Sequence, residues 1–287
     1  LGAAMARSIC PTIPIVASCH PSDFVVAERC PRLLRRVVPP VREVDHVLTA
    51  CGADARRAGA LYGIRSDRLG IIGAGVDALA FRPPEAAASV AFAAAVEAHA
   101  LALPVRPALR VVLVARGDEE LPPEPLSCLA AHCAPGGGVL GVVLSGAAVP
   151  GGDEDGELYR VRASGATLRA DLFRGSHLVV PWGDVTFLRQ TALEALACGC
   201  RVMLPEAPEF AAWPDEELAA EEGIRRYPGE GDGLARALAE ELGKARRPLS
   251  GRDDGQRDAI ALRVASRASW EAVFRAHGEV YRDVLGV

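Results

Sequence analysis

Residues 178–210 of the 287-residue chain read LVVPWGDVTFLRQTALEALACGCRVMLPEAPEF, and their order sets the fold class. Leu178–Pro181 is a short, continuous apolar run of the kind that forms a strand buried on both faces. Trp182–Thr186 is a polar turn, Leu188–Ala197 has helical spacing, Gly199 closes that helix, and Arg201–Leu204 is a second buried strand. Strand, loop, helix and strand make a βαβ unit, whose crossover between parallel strands is almost always right-handed. Open α/β sheets place ligands at the carboxyl ends of their strands and at the N-terminus of the helix that follows. Glu194 sits on this helix, two turns past its start.

The alternation extends in both directions. Upstream, Ile13–Ser18, Asp45–Ala50 and Arg68–Ile72 read as strands, Pro31–Val41 is amphipathic and basic, and Asp54–Tyr62 is helical. Residues 86–103 form an alanine-rich helix ahead of Pro104 and Pro107. A second series of strands follows at Arg110–Ala115, Val139–Leu144 and Leu158–Arg162, before the two already named. Helices are expected near 124–133, 215–222, 231–243 and 256–265, a solvated loop at 245–256, and a final amphipathic helix at Trp270–Leu285. Two α/β units, the first incomplete, meeting around residues 83–109, account for the pattern.

Composition narrows the function classes. Half the residues are hydrophobic and 24% are charged, enough for a sizeable core. A net charge of −5 gives no polycationic surface, so nucleic acid is a poor partner. Lys244 is the only lysine, and the chain has no asparagine and hence no N-glycosylation sequon. Eight cysteines show no C-x-x-C and no zinc spacing, so no metal site is expected, and most read as small core residues in a reducing compartment. No uncharged apolar stretch reaches 18 residues, so no transmembrane segment is expected, while peripheral membrane contact stays open. The opening LGAAMARSIC has no initiator Met and no signal-peptide layout, and reads as the end of a helix from a longer protein.

One motif is set aside. Gly73-Ala74-Gly75-Val76-Asp77-Ala78 fits G-x-G-x-x-A after a strand, as in dinucleotide-binding folds. Pro83-Pro84 leaves room for about one turn of helix after it, and the acidic residue some 20 positions on is missing.

Four segments resemble the retaining nucleotide-sugar glycosyltransferases of the GT-B fold (the family 4-like, group 1 type). DHVLTACGADARRAGALYGI, from Asp45, looks like that family's "aD-x-V-ia-S" strand and helix. RLGIIGAGVDALAFRP, from Arg68, looks like the segment leading into its hinge. Leu178–Pro205 looks like its "v-x-P-S-x-x-E-x-x-G-l-x-x-L-E-A-m-A-x-G-x-P-V-v" region. Ser269-Trp270-Glu271 with Tyr281 looks like its closing helix. The resemblance implies an α/β fold of two Rossmann-like domains. Residues 1–105 would be a partial N-terminal, acceptor-side domain and hinge, and 106–268 a C-terminal nucleotide-sugar domain. Residues 269–287 would be a helix crossing back to the first domain.

It also implies site residues. Glu194 matches the glutamate that binds the donor ribose, a task that suits a carboxylate facing two vicinal hydroxyls. Arg116, at the end of VVLVARG, matches the arginine that neutralises the diphosphate leaving group. His20, after the strand Ile13–Ser18, matches the histidine that faces the sugar across the cleft. Cys19 and His20 are not a dyad, because neighbouring strand residues point to opposite faces.

Several positions depart from the pattern. The family's sugar-contacting glutamate is Thr186 here, a residue that also suits a helix N-cap, and Asp184 is the nearby carboxylate that could replace it. Arg189 stands where a glycine admits the donor, and Asp118-Glu119-Glu120 fall where a clamp lysine belongs. Two functions therefore compete: a metal-independent cytoplasmic hexosyltransferase using a nucleotide-sugar co-substrate and no cofactor, with reduced activity, and a non-catalytic glycosyltransferase-like scaffold. A sugar-nucleotide epimerase is a third reading, but it needs more acid/base side chains than are found.

Overall fold

The computed structural model describes residues 6, 9–85, 87–101, 103, 109–117, 119, 121–133, 138–145, 158–162, 166–207, 210, 223–229, 231–244 and 252–287. They divide into two compact units. The described residues up to Gly75, with Phe210 and Trp270–Val287, form one; those of Val76–Ala207 and Ala219–Ser269 form the other.

The first unit holds strands β1 (Val16–Cys19), β2 (His46–Thr49) and β3 (Leu69–Ile71), all parallel and paired in that order. Helices α1 (Pro21–Arg29), α2 (Pro31–Arg42) and α3 (Gly52–Tyr62) connect them. Phe24, Ala27, Val44, Val47, Ala58 and Tyr62 make the core, and the apolar side of α2 (Leu34, Val37, Val38, Val41) packs against it. Helix α1 is not among the expected elements: its short PSDFVVAER run carries only Phe24 and Ala27 as buried residues, too few to set a helical pattern.

After β3 the Gly73–Gly75 segment starts no helix. Val76 forms a parallel bridge to Ser269, and Asp77 Oδ1 accepts the N–H groups of Leu79 and Ala80 in a turn. Gly75 is needed for another reason: a β-carbon there would collide with the indole of Trp270. That tryptophan opens the last helix, α10 (Trp270–Leu285).

The second unit is built on six parallel strands in the order β6-β5-β4-β7-β8-β9. These are β4 (Leu109–Ala115), β5 (Val139–Ser145), β6 (Leu158–Arg162), β7 (Leu178–Trp182), β8 (Arg201–Glu206) and β9 (Ile224–Pro228). Alternate residues of the central strands face opposite layers, as a period of two requires. Leu109, Val111 and Leu113 share one core with α5 (Pro123–His132) and α8 (Gly231–Lys244), through Leu129, Leu234, Leu238 and Leu242. The opposite layer contains α4 (Ala88–Ala98), α6 (Ala166–Arg174), α7 (Val185–Ala197) and α9 (Arg252–Ala268). Every residue of β4 and β5 is buried, which is why both read as apolar runs apart from Arg110 near the start of β4 and Ser145 at the end of β5.

The strands of this sheet through β8 lie where the sequence pattern puts them, whereas β9 and α6 are additional. IRRYP, with two arginines in five residues, lacks a strand's apolar pattern, and only Tyr227 of it is buried. Helix α9 begins at Arg252, inside the stretch expected to be loop. The helix expected at 215–222 lies outside the described residues.

At the amino ends of the strands, two buried arginines hold helix C-termini. Arg257 on α9 donates to the carbonyls of Ser176 (2.7 Å), Arg174 (3.0 Å) and Cys198 (3.2 Å), at the ends of α6 and α7. Arg110 on β4 donates to the Gly175 carbonyl and lies over the Phe92 ring, 5.3 Å from its centroid. Its backbone N–H donates to His177 Nδ1 at 3.1 Å. Burial, with Arg110, Arg257 and Arg201 nearby, pushes the His177 pKa down to about 3, so the ring is neutral.

Candidate functional site

The strand order reverses direction between β4 and β7, so their carboxyl ends flank the crevice where doubly wound sheets bind ligands. Arg116 leaves β4 at this point and its N–H donates to Trp182 O across the register (3.0 Å). On the β7 side, Gly183 and Asp184 turn the chain into α7. A β-carbon on Gly183 would lie 2.9 Å from that of Arg116 and 3.3 Å from Glu119 Oε2, so this turn passes hard against the β4 loop.

Asp184 is the N-cap of α7, its Oδ1 accepting the Phe187 N–H at 2.9 Å. Its other oxygen, Oδ2, pairs with Arg116. Thr186, a residue suited to an N-cap, stands exposed in the first turn instead, because the helix starts at Val185, earlier than the apolar spacing indicates. Both partners of the Arg116–Asp184 pair are about half exposed, at 52% and 48%, so the pair is worth ~0–1 kcal/mol. An anion entering here would exchange one weak ion pair for another. Trp182 is partly buried against the second unit's core.

Glu194 is placed differently. Its side chain is 6% exposed, and Arg169 of α6 grips both carboxylate oxygens, Nε to Oε2 and Nη2 to Oε1, each at 3.1 Å. Gln190, one turn back on α7, adds a bond to Oε1 at 3.4 Å. Arg169 escaped the sequence reading because its helix did. The signal was there in Leu168, Leu172 and Phe173, spaced to line one helical face, and all three are buried. Arg189, at the position of the family's glycine, is buried at 3% exposure.

His20 belongs to the first unit, where it is the exposed N-cap of α1 and its backbone N–H donates to Asp23 Oδ2 at 2.8 Å. Burial, helped by Asp23 and Asp54, raises the neighbouring Cys19 thiol to about 11, so it stays protonated and is no nucleophile at neutral pH. The structure thus brings Arg116 together with Asp184, and Glu194 with Arg169. Asp118 and Glu120 lie outside the described residues. Among the described residues, no group of three or more His, Cys, Asp or Glu is gathered as a metal site requires. None of their helices is long and apolar enough to cross a membrane.

The backbone has clear counterparts among solved structures. Anabaena HepE in complex with UDP and glucose superposes at a TM-score of 0.64 with 15% identity, over 99% of this chain and 74% of that one. Sucrose-phosphate synthase from Thermosynechococcus elongatus gives 0.66 and 15%, over 99% and 71%. A glycosyltransferase from Rickettsia africae gives 0.63 and 10%, over 98% and 79%. The chain has the GT-B glycosyltransferase fold. No family model and no curated protein matches it by sequence. In the GT-B frame, the two sheets described above are those of its two Rossmann-like domains, and the β4–β7 crevice lies on the six-stranded one.

Proposed function

We propose that the chain is a glycosyltransferase that takes a hexosyl group from a nucleotide-sugar donor and passes it to an acceptor with retention of configuration. The observation that carries this reading is the meeting of Arg116 and the N-terminus of α7 at the sheet's switch point, on a GT-B backbone. There the Asp184 carboxylate occupies the place of an anion, bonded at once to a guanidinium and to a helix N-terminal N–H. A donor diphosphate offers the same charge with more oxygens. Arg116 and the helix N-terminus would stabilise the charge that develops on the leaving nucleoside diphosphate, so the reading asks for no metal.

Glu194 is assigned to the ribose hydroxyls and His20 to the sugar. Thr186, one residue inside the helix, is the hydroxyl nearest this anion position in sequence. HepE has been crystallised with UDP and with UDP-glucose, and a plant starch synthase with ADP, which supports a nucleotide-sugar donor for this fold.

A second reading rests on a specific observation. Glu194 is buried and spent on Arg169, and Arg116 is spent on Asp184, an arrangement that suits a glycosyltransferase-like scaffold without donor turnover. Calorimetric titration and thermal shift with UDP-, GDP- and ADP-sugars separate the two. A donor held at 100 times its Kd should add about 2.7 kcal/mol of stability. Glu194→Ala should remove the response. Silence toward all three donor classes would leave the scaffold reading in possession.

A further inference from the structure

We propose that the α1–α2 face of the first unit docks on a lipid bilayer rich in anionic headgroups, a role separate from the sugar-nucleotide reading. Residues 29–42, RCPRLLRRVVPPVR, hold five arginines and no acid, in a chain whose net charge is −5. Helical spacing sorts them. Leu34, Val37, Val38 and Val41 turn inward on the core, while Arg32, Arg35, Arg36 and Pro39 repeat at three and four residues on the opposite, exposed side. Arg32, Arg35 and Arg36 are exposed and form no ion pair among the described residues. Nearby arginines are otherwise engaged: Arg42 donates to Tyr62 O, and Arg57 pairs with Glu28.

Helix α1, which leads into α2, adds exposed apolar side chains. Val25 and Val26 on α1 are 38% and 52% exposed, and Arg29 lies one turn on from both. Cys30 is at once the end of α1 and the start of α2, which joins Arg29 to Arg32 across one corner. Valines that can enter the headgroup layer, flanked by guanidiniums that pair with phosphates, are the chemistry of a membrane-surface contact. Nucleic acid fits less well. The aromatics of this region, Phe24 and Tyr62, are buried against each other at 6.0 Å between centroids, and leave no ring for a base to stack on.

Co-sedimentation of the full chain with vesicles tests the proposal. It should bind phosphatidylcholine vesicles containing phosphatidylglycerol, release as salt rises, and ignore phosphatidylcholine alone. Reversing three exposed arginines (Arg32→Glu, Arg35→Glu, Arg36→Glu) should weaken partitioning by about 100-fold or more. Val25→Ser with Val26→Ser should weaken it while keeping its salt dependence. Circular dichroism should show both variants folded, since all five side chains are exposed. Equal binding to neutral vesicles, binding that survives the arginine reversal, or a preference for DNA or RNA over anionic vesicles would each overturn it.

Discussion

Two residue pairs govern what the candidate site can do, and they respond to substitution in opposite ways. Arg116–Asp184 is exposed and weak, so Asp184→Asn should keep the α7 cap, leave the melting temperature almost unchanged, and free the guanidinium. Affinity for nucleoside diphosphates should then rise several-fold by calorimetry; a fall would mean that Asp184 acts as a donor-binding acid, as the sequence alone allowed. Arg169–Glu194 is bidentate and largely buried. Arg169→Leu leaves a carboxylate without its cation and should cost about 3 kcal/mol in denaturant unfolding. Adding Glu194→Leu should recover much of that loss, and a double variant no more stable than the single would refute the pairing. Arg116 and Glu194 were legible through the family resemblance of the segments that hold them, and Asp184 only as the carboxylate near Thr186. That Arg116 pairs with Asp184, and that Arg169 holds Glu194, was not legible, because ion pairs 68 and 25 residues apart leave no local trace.

Secondary structure elements were legible where burial was symmetrical. Strands β4, β5 and β7 are covered on both faces, and their apolar runs gave their positions to within a residue or two. Helix α6 and strand β9 were missed because arginines interrupt them, although those arginines serve the fold. The same is true at the amino ends of the strands, where Arg110 and His177 look like interruptions and are fixtures. His177 has a pH consequence. Unfolded, it takes a proton near pH 6.5; folded, only near 3. The unfolded state therefore binds more protons between those values, and stability should be full above about pH 6.5 and fall by a few kcal/mol on the way to pH 3. Burial lowers the His46 pKa as well, which adds in the same direction. Denaturant midpoints against pH should show this slope, and His177→Gln should flatten it. At the last helix, Gly75→Val would drive a side chain into Trp270 and should destabilise α10 by about 1–3 kcal/mol, read as a blue-to-red shift in tryptophan emission.

For the whole molecule, the backbone says more than the residues do. The GT-B frame persists at 10–15% identity with the solved structures, while Thr186 and Arg189 stand where the sequence resemblance implies a glutamate and a glycine. The six-stranded sheet explains how both can be true. One rim is fastened by Arg110 and Arg257, which tie helix ends to strand starts through buried bonds. The other, where Arg116 meets Asp184, is secured by a half-exposed pair of little energetic weight. Mutational drift is thus partitioned. Changes to the Arg116–Asp184 pair can alter what the crevice binds at little risk to folding, whereas changes at the arginine rim put the architecture itself at stake. A lineage carrying this domain can change or lose what binds at the crevice and keep a sound scaffold, ready for another use.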